Sequence, residues 1–351
     1  MPLDLRADLP DLLVAVTDIE SVSGNERALA DAVESALAVA PHLEVIRHGD
    51  AVVARTSLGR ASRVVIAGHL DTVPVAGNLP SRREGDRIYG RGTADMKGGV
   101  AVALAVAAAT PHPRHDVTWI FYDNEEVEAV RNGLGRLARD RPDLLAGDFA
   151  VLMEPTAARI EGGCQGTLRC EITTRGVAAH SARSWLGHNA IHDASGVLAT
   201  LAAYVPRTVV VDGLEYREGL NAVRIEGGIA GNVVPDRCTV TVNFRFAPDR
   251  SLAEAQEHVA EVFAGHDLVF TDLSPAARPG LDHPAAAAFV AAVGGEPRAK
   301  YGWTDVARFA ELGVPAVNFG PADPGKAHAD DEFCPVADLH QVHDALVRWL
   351  A

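Results

Sequence analysis

The chain of 351 residues has only three lysines, four cysteines and 5% aromatic residues. Its formal net charge is −15. Such a surface repels the phosphate backbone and anionic lipid, because binding either requires Lys and Arg to outnumber carboxylates, so neither nucleic acid nor a membrane is expected as a partner. Cys164, Cys170, Cys238 and Cys334 form no C-x-x-C pair and no regular framework, which predicts free thiols in a reducing compartment. The first residues lack a basic leader and an uninterrupted apolar core, so no signal or transit peptide is expected. The longest apolar run, 99–109, falls short of the ~20 residues that span a bilayer. Together these absences predict a cytoplasmic protein. No G-x-S-x-G elbow, H-E-x-x-H zinc helix or Walker G-K-[ST] is present. His188 and His192, like His340 and His343, are expected to serve surface or packing roles.

What is present is a pattern of alternating elements. Strand-like VVIAG (64–68), a helix over 98–109, VTWIFY (117–122) and FAVLM (149–153) predict an α/β domain with a mostly parallel sheet. From Thr167 the order becomes strand 167–176, helix 189–204, strands 220–229 and 236–246, helix 251–264 and strand 267–273, a ferredoxin-like βαββαβ insert. Helices over 284–293 and 304–312, strand PAVNFG (315–320) and a helix over 336–350 return to the first pattern. The expected division is therefore a catalytic domain of 1–167 and 277–351, interrupted by an α+β domain of 168–276.

Ligands of open α/β sheets collect at the carboxyl ends of the strands. There stand His69 after VVIAG, Glu125 and Glu126 after VTWIFYDN, Glu154 after FAVLM, and His328 in the loop after PAVNFG, with Asp95 in GRGTADMKGG (90–99). Singly, each has an ordinary explanation: Asp95 as a helix N-cap, the histidines as hydrogen-bonded or solvated residues, the glutamates as surface carboxylates. These explanations weaken together, since all must fall beside one crevice. Two histidines and three carboxylates suit zinc and exceed what one catalytic zinc uses, which points to two metals bridged by one carboxylate, Asp95 being the natural bridge. Asp71 could accept the other imidazole N–H of His69. Of Glu125 and Glu126, one can ligate while the other moves the proton from water to the leaving amine, and the spacing leaves open which does which.

Read together, GHLDTVP (68–74), GRGTADMKGG, DNEE (123–126), MEPT (153–156), AAHSAR (178–183), GNVVPD (231–236), NFRF (243–246) and AHADDEF (327–333) resemble the succinyl-diaminopimelate desuccinylase family, a branch of the two-zinc metallopeptidases that includes acetylornithine deacetylases and aminoacylases. The resemblance implies that Asp95 bridges two zinc ions, replaceable by cobalt, that His69 and Glu154 complete one and Glu126 and His328 the other, and that Glu125 is the general base. It implies that the insert is a lid and homodimerisation domain, with His180 reaching a neighbouring subunit's active site to stabilise the oxyanion. Arg245, Asn232, Arg183 and Thr304 match substrate-contacting positions, and a guanidinium at 245 suits the carboxylate of a small anionic N-acyl amino acid. The implied reaction is hydrolysis of N-succinyl-L,L-2,6-diaminopimelate, with acetylornithine deacetylase, another N-acyl amino acid hydrolase or an exopeptidase as alternatives, and a non-catalytic metal-binding protein as a further one. Many desuccinylases carry arginine where this chain has Cys164 and Gln165, and the loop 301–309 also differs; both changes resemble one subgroup of that family.

Overall fold

The structure, a computed structural model, describes residues 3–351. The chain forms two compact units. One contains the chain through Gly163, Pro279–Ala299 and Thr304–Ala351; the other contains Cys164–Arg278 and Lys300–Trp303.

The first unit is built on an eight-stranded sheet. Its four central strands, Asp116–Tyr122, Arg63–His69, Phe149–Leu152 and Ala316–Asn318, run parallel in that spatial order. The middle two strand segments are apolar at nearly every position because helices cover both faces of a parallel sheet. The hairpin Glu44–His48 and Ala51–Arg55 adds antiparallel strands at one edge, against Asp116–Tyr122. This hairpin and the helices Leu9–Thr17 and Arg27–Leu37 precede every element that the sequence pattern had suggested.

Helix Gly98–Ala109 is apolar all round and buried over Gly98–Ala107, as a helix must be when neighbours enclose it on every side. Its approach to the sheet is close enough to require glycine: a Cβ on Gly99 would stand 2.1 Å from the Met153 carbonyl oxygen. That contact locks the start of this helix, just after Asp95, to the strand end that carries Glu154.

In the second unit, strands Gly219–Gly227, Arg237–Phe246, Gly166–Arg175 and Leu268–Ser274 form an antiparallel sheet in that order. Leu168, Cys170 and Ile172 alternate with polar neighbours and pack with Val240, Val242 and Phe244 beneath helices Ala190–Ala203 and Leu252–Val262. The second helix begins with a capping box between Ser251 and Glu254. An additional hairpin, Thr208–Val211 with Leu214–Arg217, lies between the first helix and second strand of the βαββαβ order. All four cysteines are buried and none forms a disulfide.

Candidate metal centre

His69 ends its strand with the ring buried. Its Nδ1 lies 3.0 Å from the Asp71 carbonyl oxygen and 3.5 Å from the Asp71 carboxylate, so the nearer acceptor is backbone rather than side chain. Its Nε2 faces Asp95 Oδ1, 3.2 Å away, and is the ring nitrogen turned toward the other candidate ligands. The other oxygen of the same carboxylate, Oδ2, stands 3.5 Å from His328 Nε2. His328 Nε2 is also 2.8 Å from Glu126 Oε1. Asp95 thus offers one oxygen to each imidazole, and ligand atoms of His69, Asp95 and Glu126 all lie within 4.8 Å of one another. Asp95 caps no helix: the helix that follows starts after Lys97 and has no side-chain cap.

The glutamates come from neighbouring strand ends. Asn124 has a positive φ of 59° and leads the chain over the end of Asp116–Tyr122. The backbone N–H groups of Glu125 and Glu126 donate to Asp71 Oδ1 and Oδ2 at 2.9 and 3.1 Å. Ser23 Oγ adds a third donor to Asp71, at 2.7 Å. Burial would raise the Asp71 carboxyl, but His69 and these donors outweigh it and hold it below the usual range.

Burial drives Glu125 well above the ordinary carboxyl value, His69 opposes this, and Glu154, Glu126 and Asp305 push it further up. Burial and the Asp95 charge raise Glu126, with His328 opposing. Hydrogen bonds to Asp95 and Glu126 push His328 up to about 10. Crowded carboxylates that raise one another, with imidazole nitrogens set between them, are an environment that favours added positive charge. Two imidazoles and several carboxylates are also the donor set that zinc takes.

Residues 65–351 match the peptidase family M20/M25/M40. The chain belongs to that family. Membership in M20/M25/M40 makes it a hydrolase of amide bonds. The chain is 58% identical over 351 residues to a putative succinyl-diaminopimelate desuccinylase DapE of Mycobacterium tuberculosis, covering 99% of each. It is 48% identical to a succinyl-diaminopimelate desuccinylase of Corynebacterium glutamicum, covering 99% of this chain and 98% of that one. Among solved structures, an M20 family metallo-carboxypeptidase of Sulfolobus solfataricus superposes with a TM-score of 0.79 at 17% identity, over 98% of both chains. A tripeptidase of Staphylococcus aureus gives 0.77 at 19%, over 100% of this chain and 98% of that one. These likenesses establish the M20 fold.

Thr304, in the first unit, is buried and donates its hydroxyl to Asn318 Oδ1 at 2.9 Å. In the second unit, His180, Arg183 and Asn232 meet in one corner: Ala179–His180 pairs with Val233–Val234, and the Ser181 N–H donates to the Asn232 carbonyl at 2.9 Å. His180 Nδ1 accepts the Ala182 N–H, which caps the short helix carrying Arg183. Arg245 sits elsewhere on that unit's sheet, paired between Thr167 and Gly219, and burial lowers its guanidinium from the usual value. Position 165 also has a structural duty, since Gln165 Nε2 donates to the Arg217 carbonyl at 2.6 Å.

Sequence reading missed the residues that hold the ligand loops. Glu332, four positions after His328, accepts the Ala94 and Asp95 N–H groups on Oε1 at 3.0 and 3.1 Å and pairs with Arg91 Nη1 on Oε2 at 3.0 Å. Both residues lie inside the quoted motifs, but Glu332 follows Asp330 and Asp331 and Arg91 stands between two glycines, so nothing in their surroundings singles either out.

Proposed function

We propose that the chain hydrolyses N-succinyl-L,L-2,6-diaminopimelate to succinate and L,L-diaminopimelate at a two-zinc centre. The observation that carries this reading is the Asp95 carboxylate, each oxygen of which faces a different imidazole, in a chain 58% identical along its length to a putative desuccinylase. Asp95 would bridge, His69 and Glu154 would complete one ion, and Glu126 and His328 the other. A zinc pair supplies Lewis acidity when bound, polarising the scissile carbonyl and acidifying water. Cobalt, which takes the same ligand types, would substitute.

The chain's own groups do the remaining work. Glu125, raised by burial, takes one proton from the attacking water and delivers it to the amine nitrogen as the C–N bond breaks; the proton left on the new carboxylic acid then passes to the amine, leaving a carboxylate and an ammonium group. Asp71 orients His69 and, through two backbone N–H groups, the carboxylate pair. Arg245 would pair with a substrate carboxylate, with Asn232 and Arg183 as further contacts, while Thr304 contributes through the loop it ties to Asn318.

The inserted unit, 168–276 in the sequence reading, would serve as lid and homodimer element, with His180 supplying the oxyanion donor across the dimer. Exposed Trp185, Val223, Ile225 and Ile229 on that unit support association. A fully active monomer in sedimentation would refute it. A cytoplasmic location is supported by four buried cysteines that form no disulfide, and among the described residues no helix is long and apolar enough to cross a membrane.

The test is kcat/KM, with zinc supplied, for succinyl-diaminopimelate, acetylornithine and a dipeptide. The succinylated substrate should be fastest. Faster turnover of either other compound would overturn the assignment and leave the metal centre intact.

A further inference from the structure

A segment before the family match reaches into the metal centre. Residues 21–23 lie along 70–72: the Thr72 N–H donates to the Ser21 carbonyl at 3.0 Å, the Ser23 N–H to the Thr72 carbonyl at 3.1 Å, and Ser21 Oγ to the Leu70 carbonyl at 2.7 Å. The chain then turns through Gly24, with φ of 89°, and buries Glu26. Glu26 Oε1 accepts two backbone N–H groups, from Gly24 at 2.9 Å and from Asn124 at 3.0 Å.

Asn124 begins the turn that delivers Glu125 and Glu126. All three successive N–H groups of this turn end on buried carboxylates: Asn124 on Glu26, Glu125 and Glu126 on Asp71. Ser23, in the same segment as Glu26, also donates to Asp71. Upstream, Asp123 is held by Arg136 Nη2 at 2.6 Å and accepts the Asn124 side-chain amide at 2.8 Å. Arg136 thus anchors Asp123 just before the turn, Glu26 holds the turn's first N–H at Asn124, where φ is positive, and Asp71 holds the two that follow. A buried carboxylate costs stability unless hydrogen bonds satisfy it, and those made by Glu26 converge on this turn and its own loop.

We propose that Glu26 is a positioning residue of the metal centre, setting the Asn124–Glu126 backbone so that one glutamate ligates and the other meets the substrate. This rests on the two-zinc hydrolase reading above.

The experiment compares full-length wild type with Glu26→Ala, Glu26→Gln and Glu26→Asp. It reads zinc affinity by chelator competition, kcat and KM for succinyl-diaminopimelate, and Tm of the metal-free protein. Glu26→Ala should lower zinc affinity and kcat, each by about 10–100-fold, the usual effect of removing a group that orients metal ligands. KM should stay within about twofold, because no substrate contact is removed. Glu26→Gln keeps an acceptor oxygen and should restore both quantities to within about threefold of wild type. Glu26→Asp, shorter by about 1.5 Å, should behave as the alanine variant does, and carries the test with Glu26→Gln should alanine fail to fold. A purely structural role would lower Tm in Glu26→Ala and leave zinc affinity and kcat of the folded protein at wild-type values; that result overturns the proposal. A near-wild-type aspartate variant beside an impaired glutamine variant overturns it too, since charge rather than geometry would then be the requirement. If wild type binds zinc but cleaves no succinylated substrate, the desuccinylase reading fails and zinc affinity alone decides the role of Glu26.

Discussion

Removing the Glu332 carboxylate should be among the most damaging single changes in the protein. Its side chain is 1% exposed and that of its partner Arg91 is 4% exposed. Glu332→Ala would leave the guanidinium with two carbonyl acceptors, Pro74 at 3.1 Å and Ala329 at 3.3 Å, and no carboxylate. It would also strip the acceptor from the Ala94 and Asp95 N–H groups. Breaking a buried pair from one side costs about 3–5 kcal/mol. At about 2–4 °C per kcal/mol, Tm should fall by roughly 6–20 °C. Thermal unfolding is best followed with chelator present, so that metal binding does not add its own stabilisation. Arg91→Met with Glu332→Leu should regain part of the loss, because two apolar groups replace two charges, while the orphaned N–H groups still cost about 1–3 kcal/mol each. Zinc affinity should stay low in the double variant, since the Asp95 loop remains unheld. A Glu332→Ala protein within about 1 kcal/mol of wild type, or a cycle with Arg91→Ala showing coupling under about 0.5 kcal/mol, would refute the reasoning.

Glu125→Gln should nearly abolish turnover, by about 10²–10⁴-fold, while two zinc ions still bind in a stoichiometry measurement; metal loss would make Glu125 a ligand instead. Gly99→Ala should destabilise by several kcal/mol, because its methyl group meets the Met153 carbonyl, and a normal urea midpoint would contradict that close approach. Asp116 is lowered despite burial by the Leu58 and Arg60 N–H groups and the Thr56 hydroxyl. Its contribution is present above the unfolded carboxyl pKa and lost as pH falls through the folded one, so Asp116→Asn should be less stable at neutral pH and show a shallower decline below about pH 4 in denaturant titrations. Burial depresses Lys97 to about 7, so the unfolded chain binds the extra proton above that pH and metal-free stability should rise between about pH 7 and 10. A flat profile, or one unchanged by Lys97→Met, would count against it.

The proposed ligands could be grouped from the sequence because each follows a recognisable strand or interrupts a glycine-rich loop, and strand ends in an open sheet share one edge by topology. His69, Asp95, Glu126 and His328 needed no contact information to be grouped. Glu26 and Glu332 could not be found that way. Their partners are backbone N–H groups, which every residue has, and the pairing of Glu26 with Asn124 spans 98 positions. Asp71 lay between these cases: its proximity to His69 followed from spacing, but its hold on Glu125 and Glu126 depends on a left-handed Asn124 that no periodicity announces. The early hairpin and first two helices escaped notice because the hairpin strands are only five residues each and the helices lie outside the motif-bearing stretch.

The antiparallel bridge between Cys164 and Ala277, with hydrogen bonds of 3.0 and 3.1 Å, brings together the two ends of an excursion of about 115 residues. In polymer terms that excursion is a ring tied at its own neck. Closure entropy grows only with the logarithm of ring size, so doubling the ring would cost about 0.6 kcal/mol. A short turn grafted from Gly163 to Pro279 should leave the first unit with its sheet and every proposed ligand. Such a truncated chain should still bind zinc and lose turnover, because His180, Arg183, Asn232 and Arg245 leave with the inserted unit.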